Sequence, residues 1–290
     1  MPFSGPGIYQ IAHAQAASIH LAVSEGSKAN GTPIIVSNAT GSPFNQMWII
    51  ESVTSEDDTY TIRNISTGLF LGLQGGELAD GTFAVGYQRM NHDSMKWVIR
   101  QEETDGTRWK IQNKICYTFL ELHGSLGAGT LVVGWSGLWK DNGPSGQQWL
   151  FEMLSRTSDD IHTALQKCPC IKRDFKSYLS DGLYLVLSRD TMRQIWNNSG
   201  LAEMRWRDSI FDCDDFATVF KAEVGKWGNE TFSAGGFALL CGLMFGDNQG
   251  DAHAYNWTLD TNDLSRVIFF EPQEGQFSNT SSYTAYFGLF

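Results

Sequence analysis

Basic side chains are in short supply in this chain: 21 Lys and Arg stand against 32 Asp and Glu over 290 residues, a formal net charge of −11. Contact with the phosphates of nucleic acid or with an anionic bilayer needs basic surface, so neither is an expected partner. No uninterrupted apolar run reaches the ~18 residues of a membrane span, and the longest candidate, Phe237 to Phe245, falls far short. Met1 to Tyr9 lacks both the charged start and the apolar core of a secretory leader. Cysteines number five, an odd count that does not read as a disulfide framework, so a reducing compartment is expected, the cytoplasm of the producing cell. Proline is scarce as well, at seven, in an otherwise ordinary globular composition.

What the chain has in plenty is glycine, at 30, and tryptophan, at 10, which suit turn-rich β structure and binding faces lined with rings. The length suggests two domains, at roughly 100–200 residues each. Self-similarity fills the first half. An aromatic-x-Ile pair opens each unit at Tyr9/Ile11, Tyr60/Ile62 and Trp109/Ile111; a leucine follows at Leu21, Leu73 and Leu122. A Gly-Thr turn recurs at Gly31-Thr32, Gly81-Thr82 and Gly129-Thr130, and each unit closes on a tryptophan, Trp48, Trp97 and Trp149. Alternating stretches such as Tyr60-Thr-Ile-Arg-Asn predict half-buried strands separated by Gly, Asn, Ser and Asp turns. Three irregular units of this size close most naturally into a small barrel with a hairpin cap, which leaves no free edge.

The first and third units end in Gln-x-Trp (Gln46-Met47-Trp48 and Gln147-Gln148-Trp149), and the second has Met95-Lys96-Trp97. This resembles the ricin-B-type lectin family, which implies an all-β trefoil over residues 1–154. A sugar site needs a ring for the apolar face of a pyranose and polar groups for its hydroxyls. In the third lobe the resemblance puts an acid at Glu121, with Gly134, Trp135, Trp139, Asn142 and Gln147 around it. The second lobe offers Tyr87 and Gln88 with Asn91 and His92, while Gly72 replaces the acid. The first has His20 at the acidic position, Ser37 and Asn38 where a ring is expected, and Gln46. The lobes are ranked third, second, first.

From Ser155 the repeat is gone, and residues 155–290 are expected to form a separate α+β domain. Asp159 to Gln166 reads as a short helix capped by Ser158 or Asp159. Cys168-Pro169-Cys170 lacks the further Cys/His pair of a metal site and is read as structural. Asp212 is an N-cap for a helix with Phe216, Val219, Phe220 and Val224 on one face, so Cys213 occupies its first turn. There the dipole favours a thiolate and the neighbouring carboxylates oppose it. A buried structural cysteine is the competing reading. Asp251–Leu259 and Arg266–Glu271 read as a hairpin, and a turn near Thr261–Asp263 would set His253 opposite Glu271.

Cysteine at a helix start, then histidine and an acid on adjacent strands, is the order of papain-like thiol hydrolases. With the Asp212-to-Ala217 block, Gly225-Lys226-Trp227-Gly228, Ala252-to-Asn256 and Phe269-to-Gln273, the chain resembles the mushroom chimerolectin family, typified by the fairy-ring mushroom agglutinin. That resemblance implies a lectin of galactose-containing glycans, sialylated ones within its range, fused to a papain-like cysteine protease. It also implies calcium activation, homodimerisation through residues 155–290, and a role as a fungal defence toxin. Cys213 matches the nucleophile, His253 the base and Glu271 the orienting acid of a peptide-cleaving site. Calcium has a rationale of its own, since acids crowding a thiolate invite a hard cation: Asp214 and Asp215 are the expected ligands, Gln273 and Glu274 weaker ones. Trp206 is expected to line the cleft and Gln194 to offer an oxyanion donor. Tyr283 to Phe290, rich in aromatics, is the expected dimer contact. Two other readings stand beside this one, a pure lectin whose second half only dimerises and a transglutaminase-like acyl transferase.

Overall fold

The computed structural model describes residues 3–38, 43–54, 56–88, 93–103, 106–140, 145–178 and 180–290. The chain divides into two compact units, Met1–Met153 with Phe232–Gly235, and Leu154–Thr231 with Gly236–Phe290. Among the described residues no helix is long and apolar enough to cross a membrane.

The first unit is built from β1 (Gly7–His13), β2 (Ala16–Val23), β3 (Thr32–Asn38), β4 (Met47–Ser52), β5 (Thr59–Asn64) and β6 (Phe70–Leu73), followed by β7 (Thr82–Tyr87), β8 (Lys96–Gln101), β9 (Trp109–Asn113), β10 (Phe119–Leu122), β11 (Val132–Trp135) and β12 (Trp149–Met153). The first and last strands of each repeat alternate round a closed ring, β1–β4–β5–β8–β9–β12 and back to β1. The middle strands pair as hairpins β2–β3, β6–β7 and β10–β11. These hairpins meet through β3–β7, β7–β11 and an Ile35–Leu131 bridge, giving the barrel and cap of a β-trefoil.

One contact repeats in all three copies. The indole N–H of Trp48 donates to the Leu21 carbonyl at 2.9 Å, that of Trp97 to Leu71 at 2.9 Å, and that of Trp149 to Leu120 at 3.0 Å. All three rings are fully buried. The equivalent leucines are therefore Leu21, Leu71 and Leu120, and the expected column of Leu21, Leu73 and Leu122 is corrected by one pleat. Strand pairing agrees: Leu21 faces Val36, Leu71 faces Gly86 and Leu120 faces Gly134. At one end of the barrel Phe3 sits among the aromatic residues that open the repeats, 5.4 Å from Tyr9, 5.3 Å from Tyr60 and 5.2 Å from Trp109 between ring centroids.

The second unit contains β13 (Ser155–Thr157), α1 (Ser158–Lys167), β14 (Ile171–Tyr178), β15 (Leu183–Leu185), α2 (Arg189–Asn198), α3 (Cys213–Thr231), β16 (Ala238–Leu239), β17 (Gly242–Asn248), β18 (Asp251–Asp260), β19 (Asp263–Glu271), β20 (Gln276–Ser278) and β21 (Thr284–Leu289). Its main sheet runs β14-β21-β17-β18-β19-β20, and a small sheet runs β13-β15-β16. The cap of α1 is Thr157, one residue before Ser158 and two before Asp159, because Asp160 three positions on completes a capping box. Helix α3 packs its Phe216, Ala217 and Phe220 face inward, and the Asn256 amide of β18 donates to the Ala217 carbonyl at 2.9 Å. The aromatic C-terminal segment is β21, an interior strand between β14 and β17, so removing it would gut the sheet. It still leaves Tyr286, Phe287 and Leu289 exposed.

Trp97→Phe keeps a ring but strands the Leu71 carbonyl and opens a cavity, a combination expected to lower stability by about 2–4 kcal/mol. Urea denaturation followed by circular dichroism measures the loss, and Trp48→Phe and Trp149→Phe should fall in the same range if the three contacts are equivalent.

Candidate functional site

The third lobe is assembled from several strands. Glu121 on β10 is held by Gln147, whose side-chain amide donates to its carboxylate at 2.7 Å and to the Ser136 carbonyl at 3.0 Å. Lys110, wholly buried, donates to the Gln147 oxygen at 3.2 Å and to the Leu138 carbonyl. A lysine, an amide and a carboxylate thus form a relay that fixes where the acid points. The Trp135 ring stacks on exposed His123 with centroids 5.5 Å apart and planes at 20°. Asp80, from the turn of the preceding repeat, accepts from the Ser136 amide at 2.6 Å and from its hydroxyl at 2.7 Å. A ring, two acids and an exposed imidazole around one surface suit a pyranose. Trp139, half-buried, lies edge-on to Phe119 at 4.9 Å and beneath Arg100 at 5.4 Å. Gly134 leaves no room for a side chain, since a Cβ there would lie 2.7 Å from the Thr118 hydroxyl.

Strand register decides the other lobes. Glu121 faces Val133, Gly72 faces Val85 and Ala22 faces Ile35, so the first lobe's counterpart of the acid is Ala22. His20 pairs with Ser37 as Phe70 does with Tyr87 and Phe119 with Trp135; its expected acidic position is corrected by two residues. It is buried, and burial pulls its pKa down while Glu152 pulls it back up. Gln46 braces its lobe as Gln147 does, donating to the Asn38 carbonyl at 2.8 Å. In the second lobe a Cβ on Gly72 would meet the Tyr87 ring at 3.4 Å and Met95 at 3.5 Å, so apolar filling takes the place of the acid and its amide. Asn30 there accepts from the Gln88 amide at 2.8 Å, as Asp80 does from Ser136. Asn91, His92 and Asn142 lie outside the described residues. Asp80, Lys110 and His123 were not anticipated from the sequence; the residue before each Gly-Thr turn, Asn30, Asp80 and Ala128, was the available signal.

In the second unit the His253 Nε2 and the Glu271 carboxylate meet at 2.6 Å. The hairpin register differs from the expected one: Asn256 faces Phe270 and Leu259 faces Val267, after an irregularity at Leu259/Asp260. His253 therefore lies diagonal to Glu271, and because the shift is two residues both side chains keep one face. Its ring also lies 4.9 Å from that of Tyr283. His253, Glu271, Tyr255, Ser281 and Tyr283 line a cavity of about 250 Å³.

Cys213 is the first residue of α3 and packs with Ala217, Leu243 and Ala254, the last adjoining His253 on β18. No hydrogen bond joins the thiol to the imidazole among the described residues. Burial pushes the Cys213 thiol up, a hydrogen bond with the Ala254 backbone counters it, and the charges of Asp212 and Asp214 add to the rise. Asp215 turns back as a cap, its carboxylate accepting from the Asp212 backbone N–H at 3.1 Å, and it is not among the ligand atoms gathered at the helix start. Asp212, Cys213 and Asp214 bring their ligand atoms within 4.8 Å of one another. The hydrogen bond between the two carboxylates holds Asp214 up and Asp212 down. A hard cation fits that donor chemistry, because two adjacent carboxylates cannot both ionise without cost. Gln273 and Glu274 lie in the turn after Glu271, the backbone N–H of Gln273 donating to the Glu271 carboxylate at 3.1 Å. Gln194 is exposed on α2, and Trp206 is 54% exposed in the segment before α3.

A family model described as ricin-type beta-trefoil lectin domain-like matches residues 44–135, and one described as agglutinin C-terminal matches residues 184–277. PSL1a, solved as a complex with E64, is 49% identical over 99% of this chain and 100% of the other, with a TM-score of 0.88. The lectin of Polyporus squamosus, solved bound to the human-type influenza-binding epitope Neu5Aca2-6Galb1-4GlcNAc, is 48% identical over 99% of this chain and 100% of its own, with a TM-score of 0.90. No curated protein matches the chain.

Trp135→Ala is expected to weaken glycan binding by ~2- to 12-fold, the value of one stacking ring. Asn38→Ala, in the lobe without ring or acid, should leave the affinity unchanged. Calorimetric titration of both variants with one glycan measures the ranking, and equal losses would sink it.

Proposed function

The chain belongs to the family of the Polyporus squamosus lectin and is a carbohydrate-binding lectin; from that premise we propose that it recognises sialylated, galactose-containing glycans and that its second unit is a calcium-dependent, papain-like cysteine endopeptidase. The glycan class follows the epitope bound by the Polyporus squamosus lectin. In the third lobe the anionic Glu121 and Asp80 suit galactose hydroxyls, which leaves a sialic carboxylate directed away from them.

The observation that carries the peptidase reading is the 2.6 Å contact between His253 and Glu271, on the strand against which the Cys213 end of α3 packs. With Nε2 engaged by Glu271, the imidazole keeps Nδ1 for the thiol proton. Proton transfer to Nδ1 frees the thiolate to attack a peptide carbonyl, and the imidazolium returns that proton to the departing amine. Water then hydrolyses the thioester with His253 again as base, restoring the thiol. Asp212 and Asp214 would hold calcium, with Glu274 and Gln273 as further donors; when bound, the ion supplies positive charge where two carboxylates otherwise oppose the thiolate. The second reading, a lectin whose second unit only assembles copies, is favoured by the raised Cys213 thiol. Assembly as a homodimer through the exposed Tyr286, Phe287 and Leu289 of β21 is compatible with either.

Cys213→Ala is expected to abolish casein hydrolysis and leave glycan binding intact. Chelator should stop hydrolysis and added calcium restore it, while the rate of Cys213 alkylation by iodoacetamide rises with calcium. A calcium-independent alkylation rate together with chelator-resistant hydrolysis would refute the metal dependence; no hydrolysis under any condition, and no mass addition from E64, would leave the lectin reading. For the dimer, Tyr286→Ser with Leu289→Ser should yield monomers in analytical ultracentrifugation, and a dimer of unchanged mass would place the contact elsewhere.

A further inference from the structure

Cys168 and Cys170 flank Pro169 in a turn closed by the Ile171 amide donating to the Cys168 carbonyl at 3.2 Å. Residues two apart in a turn bring their Cα atoms within the ~4.4–6.8 Å that a disulfide spans. Both thiols are free and half-buried, whereas Cys116 and Cys241 are buried. Cys170 is tied to one place in the chain: its thiol donates to the Ser281 carbonyl at 3.5 Å, and the Ser281 amide donates back to its sulfur at 3.4 Å. The Cys170 carbonyl accepts from the Ala285 amide at 2.8 Å. Between these anchors lies Tyr283, whose ring packs on His253 and lines the same cavity.

We propose that Cys168 and Cys170 are an oxidisable dithiol site, whose partner is a small disulfide of the glutathione type and whose oxidation releases the Ser281–Tyr283 segment from its place over His253. One protein thiolate attacks the small disulfide and expels one small thiolate. The second protein thiolate attacks the mixed disulfide and expels the other. Two electrons and two protons pass from the protein to the small disulfide, which is reduced to two thiols. The oxidised Cys170 sulfur carries no hydrogen, so the Ser281 carbonyl loses its donor, and the sulfur turns toward Cys168 and away from the Ser281 amide.

The surroundings agree with paired sulfurs. Burial pushes the Cys168 thiol up, the Cys170 backbone counters this through a hydrogen bond, and the Cys170 thiol beside it raises it again. Burial pushes the Tyr255 hydroxyl up to about 12, and both thiols lie close enough to add to the rise. The dithiol stands independently of the peptidase reading; only its effect on hydrolysis would rest on that reading.

The full chain equilibrated in glutathione buffers, then alkylated and weighed, tests the proposal. The expected product has lost two hydrogens, has two fewer alkylatable thiols, and yields a peptide linked through Cys168 and Cys170. Cys168→Ser and Cys170→Ser should each abolish that product. Hydrogen exchange of the peptide spanning residues 279–286 should be several-fold faster in the oxidised chain than in the reduced one. A chain that keeps all its thiols, or takes up only glutathione adducts, overturns the dithiol site. Unchanged exchange in a chain shown to carry the disulfide overturns the link to His253.

Discussion

A buried indole N–H costs free energy unless it finds an acceptor, and in this chain each closing tryptophan finds the same one, a leucine carbonyl on the second strand of its own repeat. The bond fixes the hairpin to the barrel, because the ring is held by barrel packing while the acceptor belongs to the hairpin. Every lobe inherits its geometry from that constraint. A residue two positions before the tryptophan can reach the hairpin end, and where it is glutamine it braces the backbone at Asn38 or Ser136. Only where that glutamine coincides with an acid on the second strand, as at Gln147 and Glu121, does the brace also aim a carboxylate. The Met95 and Gly72 pair is the apolar solution of the same space.

The trefoil was legible because its signals are redundant: tryptophan, Gly-Thr and aromatic columns all keep step over three copies. The leucine column misled for a simple reason. A strand repeats its facing every two residues, so Leu71 and Leu73 are both core residues and a slip of two is invisible to hydrophobic pattern. The same slip put His20 in the place of Ala22. In the β18–β19 hairpin a shift of two residues left His253 and Glu271 on one face, which is why the two side chains still meet despite the inexact register. Asp80 was hidden because it reaches the third lobe from the turn of the preceding repeat, and His123 because it lies just past the end of β10, outside the alternating strand pattern. Lys110 was hidden because alternation gave no reason to bury a lysine; what justifies it is the acceptor set of Gln147 and Leu138.

The charge pattern at the start of α3 is a balance of two opposed effects. A helix N-terminus stabilises negative charge, which accounts for Asp212 and Asp215 as capping residues. The same position would lower a thiol's pKa, yet burial and two neighbouring carboxylates prevail and the Cys213 thiol is raised. Acidic capping and an ionised thiol thus make contrary demands on adjacent residues. Elsewhere in this unit an acid is handled differently: buried Asp260, at the end of the β18–β19 hairpin, is paired with Arg189 and Arg266. Asp214 has no such basic partner among the described residues.

The closure of the barrel also has a consequence for the order in which the molecule can be made. β1 pairs with both β4 and β12, and Phe3 packs against Phe151 as well as against the opening aromatics. A chain emerging from the ribosome exposes β1 first and its β12 partner only after some 140 further residues, at roughly 5–20 residues per second. For several seconds one edge of the oldest strand has nothing to pair with, an interval in which a neighbouring nascent chain offers the same sequence as the missing strand.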